Sequence, residues 1–346
     1  MSRENTTDPE LALASQLLEA ITASWKSQVL YVAAELRIAD LLANGPRASS
    51  ELAAMTGTHP PSLRRLLRGL AAIGVCSETA ADVFGVTPLG ALLATDAPLS
   101  LRSWTLWWGT SLRDSWGSLL YSVRTGSSAR RMLTGMEGFD HLANDPEQAA
   151  TFNRALVELT RLVTGAVLDC YDFAGVRRLA DVGGGHGEML MAVLNKHPSV
   201  SGMLFDLPHA VECARQRFAE AGLLARCEFL AGDFFEHVPA GADVYLLKSV
   251  IHDWDDAKGR ILLQNCRRAA GKNGRVLVVE QILPDKVEQR AMHQSLMRSD
   301  LSMLVAHGAG ERTQAEMLAL VQSAGLRVTR VLPTRSTFSV IEAVAG

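Results

Sequence analysis

Apolar side chains recur at helical spacing from residue 9 to about residue 169, and strand-like runs are few there. Leu11, Leu13, Leu17, Leu18, Ile21 and Trp25 fit a first amphipathic helix. The pattern continues over 29–42 through Leu36, Ile38, Leu41 and Leu42, and Asn44-Gly45-Pro46 ends it. Ser49 or Ser50 would cap a short helix over 51–55, closed by Gly57. Pro60-Pro61 then opens a second helix through Leu63, Leu66, Leu67 and Leu70, with Gly74 as its stop. Apolar runs at 75–76 and 83–86 read as two short strands, which completes a winged-helix pattern. Arg64, Arg65 and Arg68 on the second helix could meet phosphates. Basic residues at this spacing are more often the wet face of a packing unit, and the fold alone does not decide between the two.

Residues 104–152 hold large side chains, among them Trp107, Trp108, Trp116, Met132, Met136, Phe139 and Phe152, broken by five glycines that exclude one long helix. Most of these rings belong to a core. A wall of methionine and aromatic side chains also suits a flat apolar ligand, which makes Trp107, Met136 and Phe152 candidate substrate contacts. Beyond residue 175 strand and helix alternate. Strands are expected at 179–182, 202–205, 227–230, 243–247 and 276–280, with helices over 188–196, 209–221 and 258–270. This is the rhythm of a doubly wound α/β sheet, closed by a last strand at 336–344, with ligands at the carboxyl ends of its strands. Two domains are therefore expected: 1–170, mostly helical with the winged helix, and 171–346, Rossmann-like.

Composition narrows the functional classes. At 346 residues the chain exceeds one ordinary core, and 48% hydrophobic with 21% charged residues is globular composition. No apolar run approaches the roughly 18 residues of a membrane span, and the polar start lacks a secretory signal pattern. A net charge of -3 argues against nucleic acid as a partner of the whole protein. Five cysteines without a CxxC pair fit thiols in a reducing cytoplasm better than a disulfide scaffold.

The most informative segment is Asp181-Val182-Gly183-Gly184-Gly185-His186-Gly187. Gly183, Gly185 and Gly187 allow a sharp strand-to-helix turn and close approach of a ligand to backbone. A dinucleotide fingerprint would need a small residue where Glu188 stands, and a carboxylate there opposes pyrophosphate at the helix N-terminus. The pattern suits a cofactor with a nucleoside and no phosphate. Asp206, 21 residues after Gly185 at the end of the next strand, can accept ribose hydroxyls. Asp233 after the third strand could accept an adenine amino group, with Phe234 against the ring. Each aspartate alone could equally be a cap or turn residue. One such feature at each of three successive strand ends favours S-adenosylmethionine.

The chain resembles the small-molecule O-methyltransferases that include plant caffeate and acetylserotonin enzymes and bacterial enzymes of natural-product biosynthesis. The resemblance spans nearly the whole chain. It rests on the glycine segment, on Gly232-Asp233-Phe234-Phe235, on Leu247-Lys248-Ser249-Val250-Ile251-His252-Asp253-Trp254, on Glu280-Gln281-Ile282-Leu283-Pro284 and on Gly310-Glu311-Arg312-Thr313. It implies a helical dimerisation domain ahead of a methyltransferase domain, a homodimer, and a place in secondary metabolism such as antibiotic biosynthesis. It also implies cofactor contacts at Gly183, Asp206, Asp233, Phe234 and Lys248, and Gly185 in the same glycine turn is a further candidate contact.

His252 follows the fourth strand, at the rim where the cofactor is expected. A phenol with a pKa of about 10 is mostly un-ionised at neutral pH, and an imidazole can remove its proton as the oxygen attacks the sulfonium methyl in line. Glu280, ending the fifth strand, and Glu311 match the glutamates that flank this histidine in the resembling family and would orient it. Asp300, Met297, Met303 and His307 could line the acceptor pocket, although Asp300 could instead pair with Arg298. Asp253, Asp255 and Asp256 read as a helix start, and no metal is expected. The alternatives are an N-methyltransferase on the same scaffold and a winged-helix regulator that senses a small ligand.

Overall fold

A computed structural model describes residues 9–136 and 138–346. The chain divides between Ser111 and Leu112 into two compact units, well ahead of the domain boundary expected at 170.

The first unit contains α1 (Pro9–Thr22), α2 (Ser24–Glu35), α3 (Ile38–Leu42), β1 (Arg47–Ala48), α4 (Ser49–Thr56), α5 (Pro60–Ala72), β2 (Cys76–Ala80), β3 (Val83–Val86), α6 (Pro88–Ala91) and α7 (Arg102–Trp107). The winged-helix pattern is present, and its wing gains a strand, because β1 joins β3 and β2 in an antiparallel sheet. Leu52, Leu63, Leu67, Leu70 and Phe84 form its core. Gly57 closes α4 at φ +64°, and Pro60 opens α5, as their residue types require. Two local expectations fail. The helix expected to run on over 29–42 breaks at Arg37, whose φ is +54°, and the turn lets Ile38, Ala39 and Leu42 enter the core. Neither Ser49 nor Ser50 caps α4, since Ala48 takes the cap position. Arg64 pairs with Asp82, and Arg68 lies 3.5 Å from Glu78, so two of the three basic residues are engaged within the unit. The apolar residues of α1 are all exposed, from Leu18 at 60% to Ile21 at 68%.

The second unit begins with α8 (Arg113–Gly117), α9 (Leu119–Thr125), α10 (Ala129–Thr134) and the long α11 (Pro146–Cys170). The alternating part follows: β4 (Arg178–Val182), α12 (Glu188–Lys196), β5 (Ser201–Asp206), α13 (Pro208–Glu220), β6 (Cys227–Ala231), β7 (Val244–Lys248) and α14 (Asp256–Ala270). The chain ends with β8 (Arg275–Leu283), α15 (Ala291–His307), β9 (Arg312–Thr313), α16 (Gln314–Ser323), β10 (Leu326–Pro333) and β11 (Phe338–Ala345). The sheet order is β10-β11-β8-β7-β4-β5-β6, with the short β9 beside β8. Strands β6 through β8 are parallel, and β11 closes antiparallel to β8, with β10 outside it. β4 and β7 are buried along nearly their whole length and β8 over 276–280, as strands covered on both faces must be. One core layer gathers Leu179, Leu204, Val244 and Val279 with α11 and α12, and the other gathers Val182, Leu247 and Val278 with α14 and α16. The chain leaves β4 toward β5 and β6, then returns to β7 on the other side of β4. The carboxyl ends of β4 and β7 therefore form the switch point where ligands bind in such sheets. Among the described residues no helix is long and apolar enough to cross a membrane.

Candidate active site

The turn after β4 is built from left-handed glycines, Gly183 at φ +68°, Gly185 at +55° and Gly187 at +73°. A Cβ on Gly187 would fall 2.5 Å from Phe218 and 2.8 Å from Leu204, so this position serves helix–sheet packing. At Gly183 a Cβ would meet Val250 at 3.0 Å and Phe234 at 3.5 Å, so its absence opens the backbone toward the rim. Asp206, ending β5, accepts the Gly185 N–H through Oδ2 at 2.7 Å and the Leu207 N–H through Oδ1 at 2.6 Å. The carboxylate thus shapes the glycine turn, and its remaining lone pairs are available to a ribose. Asp233 accepts the Phe235 N–H at 2.7 Å, a turn-forming bond. Asn265 donates to the carbonyls of Phe234 and Phe235, which fixes the loop that carries both rings.

The cleft beside the glycine turn is lined by Asn153, Leu156, Val157 and Thr160 of α11, by Gly183 to Gly185, and by Lys248 and Ser249. Lys248 donates to Thr160 Oγ1 at 2.9 Å. Burial brings its pKa down to about 8, against the pull of Glu280, Asp181 and Asp253. Asp181, fully buried with no hydrogen-bond partner on Oδ2, rises to about 7 through burial and the neighbouring Asp206. Glu188, expected to repel phosphate, is clamped by Arg161 and Arg217, so its charge is compensated inside the protein. The residues fit an uncharged nucleoside carried on an open glycine backbone, with Lys248 as the cation facing the cleft.

Ser249 leaves β7 at φ +54°, a conformation side-chain-bearing residues rarely adopt. The chain then turns so that the Val250 and Ile251 N–H groups both donate to Glu280 Oε1, at 2.9 and 2.8 Å. This bond pair presents His252. Its Nδ1 lies 3.0 Å from Glu311 Oε1 and 3.6 Å from Glu280 Oε2, and its Nε2 lies 3.6 Å from Asp253 Oδ1. Glu311 Oε1 also accepts from the Ser299 hydroxyl at 2.7 Å. Burial alone would depress the imidazole, but Glu311, Glu280 and Asp253 outweigh it and raise its pKa to about 10. Burial raises Glu280 to about 7, while His252 and Ser299 hold Glu311 low. His252, Glu280 and Glu311 also bring potential ligand atoms within 4.8 Å of one another, with Oε1 of both glutamates already engaged in hydrogen bonds.

Asp300 does not pair with Arg298, which donates to Ser295. Its Oδ1 accepts the Glu311 N–H at 3.0 Å, and a Cβ on Gly310 would lie 2.8 Å from that oxygen and displace the carboxylate. Asp300 therefore positions the glutamate beside His252. Met297 and Met303 are half-buried on α15. Phe152 lies 5.7 Å from Phe139, which lies 4.9 Å from His307, and Asn144 donates to the Met136 sulfur at 3.4 Å. Trp107 belongs to the first unit and is buried. Asp255 caps α14 and Asp256 pairs with Arg312, as a helix start requires. Asp253 behaves differently and turns into the site. The sequence reading missed it, and it missed Arg130 on the short α10. The only signal for Asp253 was adjacency to His252.

A family model described as an O-methyltransferase domain matches residues 116–327, and one described as an O-methyltransferase dimerisation domain matches residues 18–96. Phenazine O-methyltransferase PhzM of Lysobacter antibioticus is 44% identical over 340 residues, 98% of each chain. O-demethylpuromycin-O-methyltransferase of Streptomyces alboniger is 39% identical over 321 residues, 92% of this chain and 85% of that protein. The structure of the O-methyltransferase NcsB1 from neocarzinostatin biosynthesis, in complex with S-adenosylmethionine and 2-hydroxy-5-methyl naphthoic acid, matches with a TM-score of 0.81 at 34% identity, covering 95% of this chain and 98% of that one. The chain therefore belongs to the O-methyltransferase family, as a dimerisation domain followed by an S-adenosylmethionine-dependent O-methyltransferase domain.

Proposed function

We propose that this protein methylates a hydroxyl of an aromatic or polyketide-like small molecule in antibiotic biosynthesis, with His252 as the base. The observation that carries the reading is the 3.0 Å contact of His252 Nδ1 with Glu311, which leaves Nε2 to face an acceptor. The named activities of the relatives supply the substrate class.

Gly183, Gly185, Asp206, Asp233, Phe234 and Lys248 would hold S-adenosylmethionine. When bound, it supplies an electrophilic methyl on a sulfonium. Neutral His252, with its Nδ1–H donated to Glu311, takes the acceptor's proton on Nε2. Glu311 and Glu280 then stabilise the resulting imidazolium, and Ser299 and Asp300 keep Glu311 in register. In the free protein His252 titrates near 10, so the working form needs a positive charge or a desolvating acceptor beside it to release the proton. Base catalysis of this kind contributes roughly 10²–10⁴-fold, and alignment of the reactants the rest. Met136, Phe152, Met297 and Met303 are proposed to form the apolar acceptor wall. In this division of labour residues 1–170 serve dimerisation and substrate enclosure and 171–346 bind the cofactor, with α11 adding one side of its cleft. The exposed apolar face of α1 and the dimerisation-domain match support a homodimer.

Thermal unfolding with S-adenosylmethionine, S-adenosylhomocysteine and NADH, followed by transfer of a labelled methyl to a panel of phenols and anilines, tests the reading. Stabilisation by the sulfur nucleosides alone, with label on phenols, is expected. Label on anilines only would establish N-methyl transfer, and stabilisation by NADH alone would overturn the cofactor assignment.

A further inference from the structure

The Asp253 side chain makes no hydrogen bond among the described residues, yet polar groups converge on it. His252 Nε2 and His307 Nε2 approach the same oxygen, Oδ1, at 3.6 and 3.4 Å. Behind His307 stands Arg130, only 5% exposed, whose Nη2 lies 3.1 Å from Nε2 and 3.3 Å from Nδ1 of that ring and donates to the Gly138 carbonyl at 3.3 Å. Phe139 packs against both, with its ring centroid 4.9 Å from that of His307 and 5.9 Å from the guanidinium carbon. Burial keeps His307 neutral, and burial against the pull of Asp253 lowers Arg130 only to about 10, so it stays a cation. A neutral imidazole can accept from arginine on one nitrogen and turn the other N–H toward the carboxylate. Burial raises Asp253 to about 6, with His252 and Arg130 opposing it, so the group is ionised at neutral pH.

A mostly buried carboxylate with unfilled lone pairs is costly unless a donor arrives. The side chain keeps 14% of its surface open, beside the ring nitrogen proposed to take the acceptor's proton. Its 3.6 Å separation from Nε2 suits two groups on adjacent aromatic carbons, one on each residue. We propose that Arg130 and His307 are positioning residues that hold Asp253 as an anchor for a second hydrogen-bond donor, a hydroxyl or amino group, on the ring carbon next to the reacting hydroxyl. This inference rests on the acceptor site proposed above.

The test uses the full chain saturated with S-adenosylhomocysteine and compares 2,3-dihydroxynaphthalene with 2-naphthol by calorimetry. The diol should bind about tenfold tighter or better, the scale of a hydrogen bond to a charged group. In Asp253→Asn, His307→Gln and Arg130→Met the ratio of the two affinities should fall to within about threefold. The histidine variant serves if the buried arginine cannot be replaced without unfolding. Equal affinities in the unaltered protein, no binding of either probe, or a ratio that survives Asp253→Asn would overturn the proposal. In the His307 and Arg130 variants, a parallel fall in both affinities with the ratio intact would mean that those residues are merely structural. Failure of S-adenosylhomocysteine itself to bind would overturn the methyltransferase reading and this inference with it.

Discussion

Replacing Glu311 with glutamine removes one charge from His252 while keeping an acceptor of similar shape. At the observed 3.0 Å, with an effective dielectric of about 20, Coulomb's law gives about 5.5 kcal/mol, or roughly 4 pKa units. That is the full attraction for one carboxylate. Burial pulls the other way, Glu280 and Asp253 remain, and the amide oxygen can still accept from Nδ1. His252 stands at about 10 against a reference of 6.5, so all contributions together amount to about 3.5 units. The share lost in the variant should be about 2 units, which brings the imidazole to about 8. The sign is firm: a lost negative charge makes the imidazolium easier to deprotonate. The neutral fraction at pH 7 therefore rises, yet the rate should still fall about 10²-fold, because ring orientation and imidazolium stabilisation are both impaired. Two measurements separate these effects. Histidine ¹³C titration of the free protein reads the pKa directly, with His252→Gln for assignment. Single-turnover methyl transfer between pH 6 and 10 reads the rising limb of activity. An unchanged or higher midpoint in Glu311→Gln would refute the electrostatic account of this site. A full rate at neutral pH would refute the orienting role.

Three further outcomes are expected. Burial opposes ionisation of Glu342, but bonds from Arg330, Thr329 and Tyr171 win and hold its carboxyl at about 2 against 4.5. Its stabilisation is complete above pH 4.5 and disappears as pH falls toward 2. Glu342→Gln should remove about 2 kcal/mol near pH 7, a figure discounted because Arg330 is half exposed, and the two proteins' denaturant midpoints should converge near pH 2. Asp206→Asn should weaken S-adenosylhomocysteine binding about 10–100-fold by calorimetry, since it removes a charged acceptor and disturbs the Gly185 turn; unchanged affinity would remove Asp206 from the cofactor site. Leu17→Glu with Ile21→Glu should halve the sedimenting mass at micromolar concentration, and an unaltered mass would show that α1 does not join two copies.

The cofactor half was legible because its chemistry follows a repeating rule. In a parallel sheet functional groups gather at the strand ends, so Asp206 and Asp233 stand out by position. Lys248 was named through the resemblance, and Glu280, expected to end its strand, lies inside β8, which runs on to Leu283. Glu311 was legible through the resemblance, whereas the Asp300 and Gly310 contacts that seat it join helix and loop by tertiary packing that no periodicity encodes. Asp253 was hidden by its neighbours, since Asp255 and Asp256 do begin a helix and an acidic triplet reads as one feature. Arg130 was hidden for another reason. It lies on a six-residue helix in a stretch punctuated by glycines, where neither a 3.6 nor a 2.0 period can show which face is inward. The break at Arg37 was illegible because arginine is a good helix former, and only the core overrides that preference.

Ser249 sets stability against performance within a single turn. A left-handed backbone at a residue with a Cβ costs on the order of 1 kcal/mol, and here it is sustained by Lys248 bound to Thr160 on one flank and by Glu280 gripping two amides on the other. Glycine at this position would relieve the torsion and also admit conformations that point His252 elsewhere. A search for heat-tolerant variants would therefore tend to accept Ser249→Gly, and a search for faster ones would reject it. The residue marks where the protein trades robustness for aim.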